Sequence, residues 1–153
     1  MHGFDNLDIN ILYELKKDGN ISVPTLSKKL GYNSSVLYSR IKRLVKKKLI
    51  KKFTIEIDDS LLGIDVKASV GINRDPKFKE QIYQSLMGIP DIVSISEVTG
   101  RFDMIIQIYA EDLEALHTAV IQKIGKIEGI QNTETFVELQ KTNKEPTYLN
   151  KSK

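Results

Sequence analysis

Between Asp18 and Glu56 the chain carries no acidic residue, and within that gap stand Arg40, Lys42, Arg43, Lys46, Lys47, Lys48, Lys51 and Lys52. A stretch that gathers cations and excludes carboxylates attracts polyanions. Other groups are interleaved with the charges: Ser34, Ser35, Tyr38 and Ser39 bring hydroxyls short or planar enough to meet base edges in a groove. Arg40 or Arg43 offers a planar fork for two guanine acceptors, whereas Lys46 to Lys48 suit phosphates, which give affinity and salt dependence but little sequence information. A solvated helix face is the ordinary explanation of a basic run. Exclusion of acids over so long a stretch favours double-stranded DNA as the partner.

Other chemistries have few carriers. The chain has no cysteine, so disulfides, thiolate nucleophiles and cysteine-ligated metals are excluded, and His2 and His117 are the sole nitrogen ligands. No metal site and no cofactor is expected. Neither histidine has an acid pair or nucleophile beside it in sequence, and His117 reads as a solvent-edge helix residue, so no catalytic residues are assigned. No apolar run reaches 18 residues and Met1 to Asp8 has acids rather than a basic leader, which is the pattern of a cytoplasmic protein with no membrane association.

Charge divides the chain. Residues 1–60 hold 12 Lys/Arg against 7 Asp/Glu, and residues 61–153 hold 11 against 13. The basic part reads as three helices. Leu7, Ile11, Leu12 and Leu15 recur at helical spacing after Asp5 or Asn6 as cap and before Asp18-Gly19-Asn20 as stop. Ser22 caps a short second helix with Pro24 in its first turn and Leu26 and Leu30 inward, and Gly31 ends it. Asn33 caps a third helix whose inner face is Val36, Leu37, Ile41, Leu44 and Val45. Its outer face is Ser34, Ser35, Tyr38, Ser39, Arg40, Lys42, Arg43 and Lys46. A short helix, a turn containing glycine and a helix polar on its outer side form a helix-turn-helix. Leu49 to Ile57 reads as a strand, the wing. The expected DNA-facing set is Ser22, Ser34, Ser35, Tyr38, Ser39, Arg40, Lys42, Arg43, Lys46 and Lys47.

A polar junction at Asp58, Asp59, Ser60 and Gly63 precedes strand alternation, Val66, Ala68, Val70 and Ile72. Asp75-Pro76 starts a helix with Phe78, Ile82 and Leu86 on one side, and Gly88 and Pro90 end it. Ile92 to Thr99 and Phe102 to Tyr109 read as strands joined by a tight Gly100-Arg101 turn. Asp112 caps a helix bearing Leu113, Leu116, Val120 and Ile124, and Ile130 to Leu139 is the last strand. The order βαββαβ is ferredoxin-like, giving an α+β protein: a winged helix-turn-helix domain over 1–54, a linker over 55–65, the ferredoxin-like domain over 66–140 and a tail over 141–153. Met104, Ile105, Ile106 and Ile108 show little alternation, so both sheet faces are expected to be buried, the second against another copy related by a two-fold axis.

Several motifs in order match one family. Asp5-x-x-Asp8-x-x-Ile11-Leu12, Arg40-Ile41-x-Arg43-Leu44, Gly100-Arg101-Phe102-Asp103 and Thr133-x-Thr135 together resemble the Lrp/AsnC, or feast/famine, transcriptional regulators over residues 5–140. Asn33, where Ser is usual, and Lys48, where Gly is common, depart from the pattern. The resemblance implies a homodimer paired through the C-terminal sheets, assembly into tetramers, octamers or higher rings, and an amino-acid effector held between dimers. The effector site it implies comprises Val98, Thr99, Gly100, Arg101, Asp103, Thr133, Glu134 and Thr135. Glycine permits close backbone approach, turn amides can hold a carboxylate, and Asp103 can accept from an α-ammonium. The polar lining favours a polar amino acid such as glutamine over leucine. Two other readings are a nucleoid-like architectural DNA-binding protein without effector and, since a shared fold does not fix function, an enzyme resembling tetrapyrrole decarboxylases.

Overall fold

Side-chain caps write the helix boundaries of the first unit. Asp5 accepts from the Asp8 N–H at 3.0 Å while Asp8 accepts from the Asp5 N–H at 3.1 Å, a reciprocal capping box that opens α1 (Asn6–Lys17). Ser22 accepts from the Thr25 N–H and opens α2 (Val23–Leu30), which Gly31 closes at φ 72°. Asn33 accepts from the Ser35 N–H and opens α3 (Ser34–Lys46). Leu7, Ile11, Leu26, Leu37 and Leu44 form the buried centre, with Leu12, Leu15, Ile41 and Ile50 packed around it. Val36 and Val45, expected on the inner face of α3, are 41% and 43% exposed. At 100° per residue they fall on either margin of the stripe centred on Leu37 and Leu44.

The computed structural model describes residues 3–144 and Pro146; Met1–Ile57 form one unit, joined by the described residues from Thr142 on, and Asp58–Lys141 form the other. α3 ends with Lys48 at φ 58°, the one non-glycine residue of positive φ among those described. Its N–H bonds Val45 O and the Leu49 N–H bonds Leu44 O, the paired closure of a Schellman end. A side chain in that backbone region costs roughly 1 kcal/mol. The wing strand expected over Leu49 to Ile57 is not formed. The Leu49 and Ile50 amides turn back to Leu44 O, and residues 51–58 join no ladder among the described residues. A strand exists only through its partner's hydrogen bonds, and Phe53, Ile55 and Ile57 stand exposed.

In the second unit β1 (Val66–Arg74), α4 (Lys79–Met87), β2 (Ile92–Glu97), β3 (Met104–Ala110), α5 (Leu113–Thr118) and β4 (Ile130–Val137) follow in the expected βαββαβ order. A wider π turn extends α5 to Ile124. The antiparallel sheet has strand order β2-β3-β1-β4. Ala68, Val70, Ile72, Met104, Ile106 and Ile108 on one face pack with Ile82, Leu86, Leu116, Val120 and Ile124 from the helical layer. Leu113, expected on that inner side, is 62% exposed. β3 alternates more regularly than its sequence suggests, with Met104, Ile106, Ile108 and Ala110 buried and Ile105, Gln107 and Tyr109 half-buried. The second face is therefore mixed rather than uniformly apolar: Gln107 donates to Ser69 Oγ at 2.9 Å at its middle. The strands stop short of the tight hairpin expected, leaving residues 98–103 as a six-residue connection.

One charged cluster ties α1 to α3. Asp8 has no exposed surface, and both its carboxylate oxygens accept from arginine: Oδ1 from Arg40 Nη1 at 3.2 Å and Oδ2 from Arg43 Nη2. Arg40 Nη1 also donates to Asp5 at 2.6 Å. Charge-assisted bonds of this kind are stronger than neutral ones, and a buried carboxylate needs them to offset lost hydration. Asp8→Ala is expected to destabilise this unit by about 3 kcal/mol, the low end for breaking a buried pair because both arginines still reach solvent. Asp5→Ala, an exposed cap, should cost about 1 kcal/mol. Urea unfolding followed by circular dichroism checks both. The Asp8 N–H, and then the Arg40 guanidinium, hold the Asp5 carboxyl below its usual range. The folded state thus favours its ionised form, so this contribution is complete above about pH 4 and is lost as pH falls further, through the lowered folded value. Helical signal at fixed urea should fall in that acid window, and less so in Asp5→Ala.

Candidate nucleic-acid interface and ligand site

With Leu37 and Leu44 in the core, the helical period turns Ser35, Tyr38, Ser39, Lys42 and Lys46 outward, and all five are exposed. Lys42 Nζ lies 4.6 Å from the Tyr38 ring centroid, a cation–π contact that places a charge and a phenol side by side. Ser34 is half-buried at the first turn, and Ser35 Oγ donates to the Asn33 cap at 3.2 Å. Ser22 is occupied at the start of α2, where its hydroxyl meets Thr25 Oγ1 at 2.8 Å. Lys47 is exposed, with its ammonium 5.5 Å from the Phe4 ring centroid.

Arg40 and Arg43 do not join this outer face as base-reading forks. Both are half-buried and directed onto Asp8, Arg40 also onto Asp5, and Arg43 Nε is buried without an acceptor among the described residues. The neighbouring carboxylates raise the Arg40 pKa, Asp5 foremost. They tie α3 to α1 through these bonds, a positioning contact that the expectation of base contacts did not include. The signal was in the sequence: Asp5-x-x-Asp8 on one helix answers Arg40-x-x-Arg43 on another, both at the three-residue spacing that shares a face.

In the second unit the 98–103 connection is fastened at its base. The Val98 N–H bonds Asp103 O at 3.1 Å, the Asp103 N–H bonds Ile72 O at 3.0 Å, and Asp103 Oδ2 accepts from the Arg74 N–H at 3.0 Å. Asn73 Nδ2 donates to Arg101 O at 2.8 Å. The Phe102 ring lies so close over Gly71 that a Cβ there would sit 2.5 Å from it, and Phe136 meets that ring edge-on with centroids 6.2 Å apart. Sequence reading gave no part to Gly71 or Phe136 and quoted Phe102 only within the Gly100-Arg101-Phe102-Asp103 motif. An isolated glycine inside a strand was the available sign of a close approach.

The tip is open. Gly100 has φ 125°, and nothing lies within 4 Å of where a Cβ would be. Beside it Arg101 Nη2 pairs with Glu134 Oε2 at 2.6 Å, both partly accessible. A shallow depression of about 650 Å³ borders Glu97, Val98 and Thr99. At the foot of this region Lys79 and then Arg74 hold the Glu97 carboxyl below its usual range. Register separates the β4 residues: Glu134 pairs with Gly71, whereas Thr133 and Thr135 pair with Ile72 and Val70 and so face the helical layer. The expected ligand residues thus gather Arg101, Asp103 and Glu134 around the connection and leave the two threonines on the opposite face. No group of His, Asp or Glu able to hold a metal occurs among the described residues, and no helix among them is long and apolar enough to cross a membrane.

Comparison with known proteins places both units. The winged helix-turn-helix DNA-binding model matches residues 4–51 and the Lrp/AsnC ligand binding domain matches residues 67–148. The chain is 34% identical to the HTH-type transcriptional regulator FL11 of Pyrococcus furiosus over 145 residues, 95% of each protein. It is 31% identical over 133 residues to an uncharacterized HTH-type transcriptional regulator of Pyrococcus horikoshii, covering 87% of this chain and 84% of that one. AsnC of E. coli has the same fold at TM-score 0.84 and 26% identity, over 94% of this chain and 97% of that one. A Neisseria meningitidis transcriptional regulator solved as an L-methionine complex superposes at TM-score 0.86 and 20% identity, over 92% and 93%, a likeness of fold. The matched relatives are transcriptional regulators rather than enzymes, and this chain belongs to the Lrp/AsnC family of DNA-binding transcriptional regulators, with a ligand-binding domain of that family's type.

Proposed function

We propose that the outer face of α3 reads double-stranded DNA in the major groove, and that a small polar amino acid of glutamine's kind, bound at the 98–103 connection between subunits, modulates DNA binding or assembly. The observation that carries the ligand reading is the setting of Gly100. Gly100 is open and is followed by Arg101, whose guanidinium pairs with Glu134, and by Asp103, so a free amino acid would exchange the Arg101–Glu134 pair for its own carboxylate and ammonium, with Asp103 as a second anion. The amino-acid complex of the Neisseria relative supports the same ligand class. Homodimers form through the open sheet face and associate into tetramers, octamers or larger rings in this reading. The half-buried Ile105 and Tyr109 on that face and the exposed Phe53, Ile55 and Ile57 support self-association, since each leaves apolar surface that a second copy would cover. The compartment of such a regulator is the cytoplasm.

Three measurements test the reading. Tyr38→Phe or Ser39→Ala should alter base preference in selection from random duplexes, whereas Lys46→Ala should weaken all sequences alike and make the salt slope shallower by about 0.9. A wild-type protein whose affinity is the same for selected and random duplexes at fixed salt would favour the architectural alternative. Calorimetry with the twenty amino acids should find one that binds, at least tenfold more weakly to Asp103→Asn and not at all to Gly100→Val. The Asn variant keeps an oxygen for the Arg74 N–H while removing the charge, so unchanged affinity would clear Asp103 of any part in the site. Sedimentation of Ile105→Asp should show loss of dimer if the open face is the pairing surface.

A further inference from the structure

The end of α3 requires a residue of positive φ, because its closing bonds run from the Lys48 N–H to Val45 O and from the Leu49 N–H to Leu44 O. Glycine meets that requirement without strain, and asparagine tolerates it. A lysine occupies it at φ 58°. Nothing in the fold compensates: Lys48 is exposed, and no described residue gives its side chain a hydrogen bond, an ion pair or a ring contact. A cation is favourable at a helix C-terminus, but Arg43 and Lys46 already occupy the last turn and Lys47 the cap, so a further charge adds mainly repulsion. Strain kept at a position where the packing gains nothing points to function. The surroundings say which, since Lys46, Lys47, Lys51 and Lys52 are also exposed within the acid-free stretch.

We propose that Lys48 contacts a DNA phosphate, and that this contact is why a lysine holds a position suited to glycine. The inference rests on α3 being the DNA-reading helix. It assigns Lys48 a positioning contact to the backbone, with no part in base choice. The charge of the side chain matters and its shape does not.

Full-length wild type and Lys48→Gly, Lys48→Asn and Lys48→Arg variants would be titrated with a selected duplex and a random duplex over a range of salt. In Lys48→Gly and Lys48→Asn the log–log salt slope should become shallower by about 0.9 per protomer bound, with equal loss on both duplexes, while Lys48→Arg keeps the wild-type slope. In Lys48→Gly the Leu49 and Ile50 amides should exchange roughly fivefold more slowly as the strain is relieved. A wild-type slope in Lys48→Gly would overturn the proposal, as would faster exchange in that variant or a slope lost equally in Lys48→Arg. Wild type that shows no salt-dependent binding would instead refute the reading of the whole unit.

Discussion

A carboxylate with no exposed surface has lost its hydration, and at Asp8 two guanidiniums and a backbone amide take the place of that water. Everything that the first unit presents to a partner depends on this arrangement. Asp8 lies in the first turn of α1, and the bonds it makes to Arg40 and Arg43 tie that turn to α3. The rotation of α3 about its own axis decides which side chains look outward. Burial of Leu37 and Leu44 sets which stripe of α3 faces the core, and the bonds to Asp8 hold that facing by directional contacts.

Much of the fold was legible because local chemistry and global pattern agree. Asp5, Ser22, Asn33 and Asp112 cap helices as their residue types suggest, and the alternation of β1 sets its register against β3 and β4. What was illegible required a partner remote in sequence. Arg40 and Arg43 look like DNA-reading forks until Asp8, more than thirty positions earlier, is placed beneath them. Leu49 to Ile57 has the composition of a strand but no neighbour among the described residues to make it one. In the candidate ligand site, Gly100 and Asp103 were visible as a motif, whereas the opposite facing of Thr133 and Glu134 depends on a pairing register that no single strand reveals.

The connection between β2 and β3 combines a rigid base with a free tip. Asp103 and Asn73 fasten its two sides to β1, and Phe102 fills the place a side chain at Gly71 would take. Gly100 is left with open space around it. Recognition loops work in this way, with a scaffold fixing where the loop begins and ends while the segment between adapts to a ligand. Phe102 also meets Phe136 edge-on, which ties the base of the connection to β4 on the open sheet face.

The engagement of both guanidiniums with Asp8 bears on the kind of sequence such a regulator can favour. Planar forks are the usual means of singling out guanine, and the exposed face of α3 has none to spare. The side chains it presents outward are hydroxyls, one phenol and flexible ammonium groups. In the proposed reading the hydroxyls and phenol meet base edges singly while the ammonium groups hold the backbone, so base choice is spread over several contacts rather than resting on one bidentate pair.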